Sequence, residues 1–476
     1  MKFVIVGGGI TGWLSALVFS EKQPFHEYVV VESSDINTIG VGEGTTGFFT
    51  DIIENLSNTN LKEFLREAKA TPKIGIEFNG WSGNESTFFN PIDGTPTTED
   101  VFDSLLYYTY IKNKSLDTSS EHGLLKRLNK SPFYIESNKL QDHNTALHLD
   151  NKLTIEYLKK KSLEKNQIKL VSDTVSKIDR DETGRVKKII CNDHEVEGDI
   201  FIDCTGFKRI FSKDSDWVSF RKNLPMNSVT TFTRKHDGDV NMFTKADKLK
   251  HGWCWQIPTQ ERIGCGYVNC DDWSDDVIEE IESNYPDAEI KKSFKFDSGK
   301  LKKSWDSNVI SLGLAYHFLE PLQATNIHLT LVQIEILCQR YIRNSISRTF
   351  NESMISSYNR CIDELVEDFK NFINVHYSRD QRVNLTDYNK EIINLVKIRG
   401  LFTNDLPQSY GGTGVGLWGH TLLGLNHITK EDCYTFLREI NHLFKAENES
   451  NILEEFYYSD AVDYLSYKDL IENLYI

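Results

Sequence analysis

Among its eight cysteines the chain has no C-x-x-C pair. That removes the usual signature of a zinc framework or redox dithiol. Cys191, Cys204, Cys254, Cys265, Cys270, Cys338, Cys361 and Cys433 read as reduced thiols of a cytoplasmic protein. No run of about 18 apolar residues exists, so no segment reads as a membrane-spanning helix. Basic residues are outnumbered, 54 Lys and Arg against 70 Asp and Glu, for a formal charge of -16. Nucleic acid is therefore not expected as a partner, because phosphate binding needs basic surface. No internal repeat and no long linker is visible. The sequence enters KFVIVGGG at once, which leaves no room for a secretory signal peptide before the first strand. What is present is a folded composition, 39% hydrophobic and 26% charged, over 476 residues, enough for two or three packed units.

Residues Phe3 to Val6 read as a short buried strand. Gly7, Gly9 and Gly12 follow, then apolar residues at helical spacing (Trp13, Leu14, Leu17, Phe19), then the strand YVVVE ending at Glu32. G-x-G-x-x-G alone is weak, but here its whole β-α-β context is present, with the carboxylate twenty positions past the last glycine. Glycines let backbone approach a pyrophosphate, the helix N-terminus favours its charge, and the carboxylate suits a ribose hydroxyl. A second strand-to-glycine segment, GDIFIDCTGF (Gly198 to Phe207), is similar to the one by which glutathione-reductase-type flavoproteins return to FAD. GGTGVG (Gly411 to Gly416) lacks a preceding strand and reads as a loop, so no second dinucleotide site is expected.

KLVSDTVSKID and GRVKKIICND read as a hairpin, and residues 228 to 270 as β-sheet. From about Asn326 the pattern turns helical, with Ile355, Tyr358, Ile362, Leu365, Phe369 and Phe372 on one face. Asn448 to Ile476 reads as a closing helix or two. The expected fold is α/β: a Rossmann-like, glutathione-reductase-type FAD domain with an inserted β-sheet substrate region, and a helical C-terminal region. The expected division is 1–345 for the FAD-binding and β-sheet core and 346–476 for the helical region.

ATPKIGIEFNGW (Ala70 to Trp81) alternates: Ile74, Ile76 and Phe78 share one parity, Lys73, Gly75 and Glu77 the other. A lysine at a strand edge is ordinarily a solvated charge. Its neighbours in the sequence change that reading. ESSDINTIGVGEGT (Glu32 to Thr45), ATPKIGIEF, GWCWQIP (Gly252 to Pro258), RIGCGYV, FLEPLQATNI (Phe318 to Ile327) and YNRCIDELVEDFKNFINVHY (Tyr358 to Tyr377), taken in order, resemble segments of the flavin-dependent halogenases of the tryptophan-halogenase family. The resemblance runs from residue 1 to about 380 and marks a shorter, divergent member.

The resemblance implies that reduced FAD, O2 and a chloride, bromide or iodide ion yield hypohalous acid. The oxidant is then relayed through the protein to Lys73, which hydrogen-bonds it or forms a haloamine and presents electrophilic halogen to an electron-rich aromatic ring. FAD would be held by Gly7, Gly9, Gly12 and Glu32, by Ile39, Gly42 and Glu43, and by Val175, Leu314 and Ile327. Trp253, Trp255 and Pro258 would wall off the flavin. The halide would sit at Thr325 and Asn326. Gln323 stands where the family often has Glu; it accepts a hydrogen bond but takes no proton at neutral pH. Glu320 and Glu77 are candidate substitutes. Tyr316 and His317 stand where the family is usually small, which would narrow the approach to the flavin, although a buried structural histidine is the simpler reading of His317. A separate NAD(P)H-dependent flavin reductase and a small aromatic substrate are the implied partners. Free tryptophan is not expected as the substrate, since its indole-binding residues find no match after about residue 400. A homo-oligomer is left open. Two other readings stand beside this one: a flavin-dependent aromatic monooxygenase (hydroxylase), and a non-catalytic FAD protein.

Overall fold

The computed structural model describes residues 1–34, 42–83, 86–92, 104–112, 116–137, 139–142, 145–236, 238, 240–273, 276–342, 351–440, 442, 446–448, 451 and 463–475. Its first layer is a six-stranded sheet. Strands Ile168–Ser172, Glu27–Glu32, Lys2–Val6, Ile200–Asp203 and Val309–Ser311 run parallel in that order, and Trp305–Asp306 closes the edge antiparallel. Near-continuous apolar runs such as FVIV and VVV form these strands because both faces are covered. Helix Ile10–Lys22 crosses from the first strand to its neighbour and buries Trp13, Leu14, Leu17 and Phe19.

KLVSDTVSKID, expected as one arm of a hairpin, divides. Ile168–Ser172 joins the parallel sheet, and only Val175–Arg180 pairs with Val186–Cys191. At the break Asp173 N still donates to Glu32 O, the last bond to the parallel sheet, and Asp173 Oδ1 accepts the Thr174 N–H as the chain leaves it.

The second layer is a seven-stranded sheet in the order Glu289–Lys295, Ser228–Arg234, Ile263–Asn269, Gly252–Pro258, Thr244–Lys248, Gly75–Asn79 and Thr87–Pro91. A small three-stranded sheet lies beside this layer: Glu43–Gly44 and Thr71–Lys73 both pair with Ala146–Leu149. The 25-residue helix Glu352–His376 begins at Asn351, whose side chain accepts the Met354 N–H. Its residues Tyr358, Ile362, Leu365 and Phe369 pack into the main core, while Phe372 and Val375 enter a second core with Trp418, Leu422 and Phe436. Of GGTGVG, expected as a loop, residues 411–414 are one, while Val415 and Gly416 open the helix Val415–Gly424. Asp368 docks the loop by accepting from Thr413 N at 2.8 Å and Thr413 Oγ1 at 2.6 Å, and a Cβ on Gly412 would meet Asp368 Oδ2 at 2.5 Å. Near the C-terminus the described residues form a strand, Tyr464–Ser466, paired with Lys130–Glu136, and then the helix Tyr467–Leu474. All eight cysteines are free thiols. Among the described residues no helix is long and apolar enough to cross a membrane, and no side-chain cluster could hold a metal ion.

Candidate active site

The dinucleotide crossing is built for close approach. Gly7 has φ +122, and a Cβ there would stand 2.3 Å from Cys204 O; one on Gly12 would stand 1.9 Å from Gly7 O. Gly9 differs, since a Cβ would meet nothing within 4 Å. Gly9 caps helix Ile10–Lys22 without a side-chain hydrogen bond, so no capping side chain occupies the N-terminus of the helix. Glu32 ends the second strand, where Oε2 accepts from Trp13 Nε1 at 2.8 Å and Oε1 from Lys159 Nζ at 2.7 Å. Val175 lies at this end of the molecule and outside the cavity described next; Thr174 before it meets Ser33 at 2.6 Å. Ile39 lies outside the described residues. The crossing therefore fits a nucleotide's pyrophosphate and ribose.

From Gly42 a cavity of about 1080 Å³, including its open mouth, runs between the layers. Gly42, Glu43, Leu314 and Ile327 line it, as do Trp253, Trp255, Phe207 and Phe318. This apolar slot matches a flavin ring in character, with the nucleotide crossing at one end. Glu43 is the acid in its wall, and its carboxylate accepts from Asn151 Nδ2 at 3.3 Å. Burial pushes Glu43 up to about 7.

Lys73 lines the same cavity and is 1% exposed. Nζ donates to Thr45 O at 2.7 Å, and a Cβ on Gly44 would come within 3.2 Å of it. Burial alone brings the ammonium down to about 7. His148 lies diagonal to Lys73 on the same face of the small sheet: Thr71 pairs with His148, and Lys73 with Ala146. It bonds Thr244 Oγ1 at 2.9 Å, and burial with the nearby lysine holds its imidazole far below the ordinary range.

The uninterrupted strand read over Ile74 to Phe78 is broken. Thr71–Lys73 belongs to the small sheet and Gly75–Asn79 to the large one, with Ile74 between them bonding Met242 O and Ile92 N. The alternation slips there. Lys73 and Ile76 both line the cavity, whereas Ile74 packs with Phe89 and Leu124, and Glu77 pairs with Lys126 at 3.0 Å. Lys73 and Glu77 therefore do not share a face, and Glu77 is not the acid beside the lysine.

The strand Gly252–Pro258 is buried throughout, with Trp253 and Trp255 side by side at 6.0 Å between ring centroids. Gly266 on the neighbouring strand supplies the floor: a Cβ there would strike the Trp255 ring at 2.1 Å. Pro258 closes the strand outside the cavity, and its carbonyl accepts from Thr71 Oγ1 at 2.8 Å. Trp81, the last residue of the lysine segment, joins this wall. It stands 6.1 Å from Trp253 and donates Nε1–H to Ala246 O at 2.9 Å.

On the far side, Gln323 (φ 64) and Ala324 (φ 56) both take left-handed backbone before helix Thr325–Ile336. Gln323, Ala324 and Asn326 line the cavity, but the buried Thr325 does not; its hydroxyl turns back toward Leu322 O. The Asn326 amide is also committed, donating to Leu319 O and accepting from Leu319 N, both at 2.8 Å. Hence the Asn326 side chain folds onto the backbone rather than projecting into the cavity. Glu320 faces away, accepting from Tyr377 Oη and from Met226 N, and burial raises it to about 8. It is a buried acid behind the wall, outside the cavity lining. Tyr316 and His317 do not narrow the cavity either. Tyr316 donates to Asp363 at 2.6 Å, and His317 is fully buried. Sequence reasoning missed Trp81, His148 and His376, because each acquires its place only through long-range pairing.

The sequence profile of the tryptophan halogenase family matches residues 2–400. Tryptophan 7-halogenase RebH of Lentzea aerocolonigenes is 26% identical over 407 residues, covering 79% of this chain and 76% of its own. The 7-chloro-L-tryptophan 6-halogenase KtzR of Kutzneria sp. is 28% identical over 418 residues, covering 79% and 78%. The crystal structure of a tryptophan halogenase from Shewanella frigidimarina superposes with a TM-score of 0.88 at 20% identity, covering 100% of this chain and 98% of that one. With a mixed α/β fold shared end to end and the family's profile matched over most of its length, the chain belongs to the tryptophan halogenase family and is a flavin-dependent halogenase.

Proposed function

We propose that Lys73 delivers halogen as a desolvated amine to an electron-rich aromatic substrate other than free tryptophan. The observation that carries this reading is a lysine without ordinary solvation, in the wall of a cavity it shares with Trp253 and Trp255. Bound FAD, received reduced from a separate flavin reductase, supplies with O2 the oxidising power that turns a halide into hypohalous acid. Gly7, Gly9, Gly12 and Glu32 would hold its nucleotide end, and Gly42, Glu43, Leu314 and Ile327 its ring.

The two tryptophans fill the space that a substrate would need for direct oxygenation, which disfavours a hydroxylase. Hypohalous acid reaching Lys73 meets a neutral amine lone pair. The N–halogen bond forms as the halogen–oxygen bond breaks, and the departing hydroxide leaves with a proton from nitrogen as water. The ring then takes the halogen, the N–halogen electron pair returns to nitrogen, and the amine regains a proton from the ring carbon. Gln323 offers an acceptor at the cavity, and Asn326, which lines it in the first turn of helix Thr325–Ile336, offers a backbone N–H to the halide. Holding the oxidant on one nitrogen provides selectivity through proximity, which a free oxidant lacks.

The test is turnover with FAD, a flavin reductase, O2 and chloride, bromide or iodide on a panel of phenols and indoles, with free hypohalous acid scavenged. Mass spectrometry should find halogenated product from the wild type, and Lys73→Ala should lose it by about 10²- to 10⁴-fold. Equal product from the variant would remove Lys73 from the reaction.

A further inference from the structure

The geometry points to His376 as a positioning residue that holds Gln323 and selects which end of its amide faces the cavity. The inference rests on the proposed role of the cavity in halogenation. His376 ends the helix Glu352–His376 and is 1% exposed. Its Nδ1 lies 2.8 Å from Phe372 O, one turn back. A carbonyl only accepts, so Nδ1 carries the hydrogen and Nε2 keeps its lone pair. That lone pair lies 3.0 Å from Gln323 Nε2, so the amide NH₂ donates to it. Three rings fix the imidazole: Phe372 at 5.0 Å, Phe78 at 5.1 Å and Trp81 at 6.1 Å between centroids. Burial lowers the imidazole to about 4, so the lone pair persists across the neutral range.

Two consequences follow for Gln323. A non-glycine residue at φ 64 occupies backbone that needs outside support, and the bond to His376 provides it. With the NH₂ end taken by His376, the carbonyl oxygen is the end left to the cavity, and it can only accept. A glutamate here would set a carboxylate against the Nε2 lone pair unless a proton entered between them. His376 thus favours an amide over an acid at position 323, which accounts for the glutamine that the sequence carries.

His376→Met removes the acceptor at similar bulk, and His376→Gln restores one. Measured in the FAD-loaded enzyme with halide and scavenger, His376→Met should slow halogenation at least about tenfold, the scale expected for a group displaced by roughly an ångström. His376→Gln should return most of the rate, and His376→Met with Gln323→Ala should be no slower than the slower single variant. Crystal structures of wild type and His376→Met should show the Gln323 amide leaving its present orientation. Should His376→Met fail to fold, Gln323→Glu carries the test: the His376 ring should take up a proton, read from the ¹⁵N resonances of histidine-labelled protein. Wild-type rate in His376→Met, a fully additive double variant, an unmoved amide or an unshifted resonance would each overturn the proposal. A wild type that halogenates nothing would sink the functional reading instead, and the amide orientation and the resonance would still decide the role of His376.

Discussion

The nucleotide end and the reactive end of the cavity are built on opposite principles. At Gly7–Gly12 function comes from missing side chains: backbone is brought close and the first turn of a helix is left open. Around Lys73 function comes from side chains placed where water is scarce, so groups that would be charged outside become ambiguous near neutrality. Lys73 falls to about 7, Glu43 rises to about 7, and behind the wall Glu320 rises to about 8. The first end spends little stability on its task. The second carries a real burden.

That contrast can be broken first at the lysine. The folded-state pKa of Lys73 lies below its ordinary value near 10.5, so folding expels a proton between about pH 7 and 10.5. The burden is therefore largest below pH 7 and fades as pH rises towards 10.5. Replacing Lys73 with Met should raise unfolding free energy at pH 7 by about 4 kcal/mol and by far less at pH 10.5. Denaturant titrations at the two pH values check this, and equal gains at both would show that burial does not tax the lysine. The smaller effect belongs to the glycine end. Gly9→Ala meets no atom of the protein, so stability should hold while FAD affinity falls about tenfold, as a methyl group enters the space before the helix. Flavin fluorescence titration beside a melting curve separates the two quantities. Unchanged affinity would mean that the pyrophosphate does not pass Gly9.

The two ends also differ in how far they can be read from sequence. The glycine crossing is local: twelve residues specify strand, turn and helix, and Glu32 follows at the next strand's end. The lysine segment looks equally local and is not. Its alternation extends through Ile74, yet the break there is set by Ala146–Leu149 on one side and by Thr244–Lys248 and Thr87–Pro91 on the other. Gly75 records this in the sequence only in hindsight, since a Cβ there would strike the Phe89 ring at 2.1 Å. Gln323 is similar. In the sequence it stands where the resemblance implies Glu, but its side-chain partner is a histidine 53 positions away whose tautomer depends on Phe372 O. The division of Ile168–Arg180 into two strands likewise follows their separate partners, Glu27–Glu32 for the first and Val186–Cys191 for the second.

The central claim is that Lys73 acts as a neutral, desolvated amine. Its most direct test is the pH dependence of single-turnover halogenation, measured with reduced FAD supplied in excess and free hypohalous acid scavenged. Beside the lysine are the Thr45 carbonyl, which it bonds, and His148, which in turn bonds the Thr244 hydroxyl; Glu43 stands elsewhere in the same wall. His148 is held neutral, and a Glu43→Gln background removes the other group that titrates near 7. In that background the rate should rise with pH through about 7 and then level. A rate that falls through the same range would assign the work to the ammonium as a hydrogen-bond donor and contradict the account.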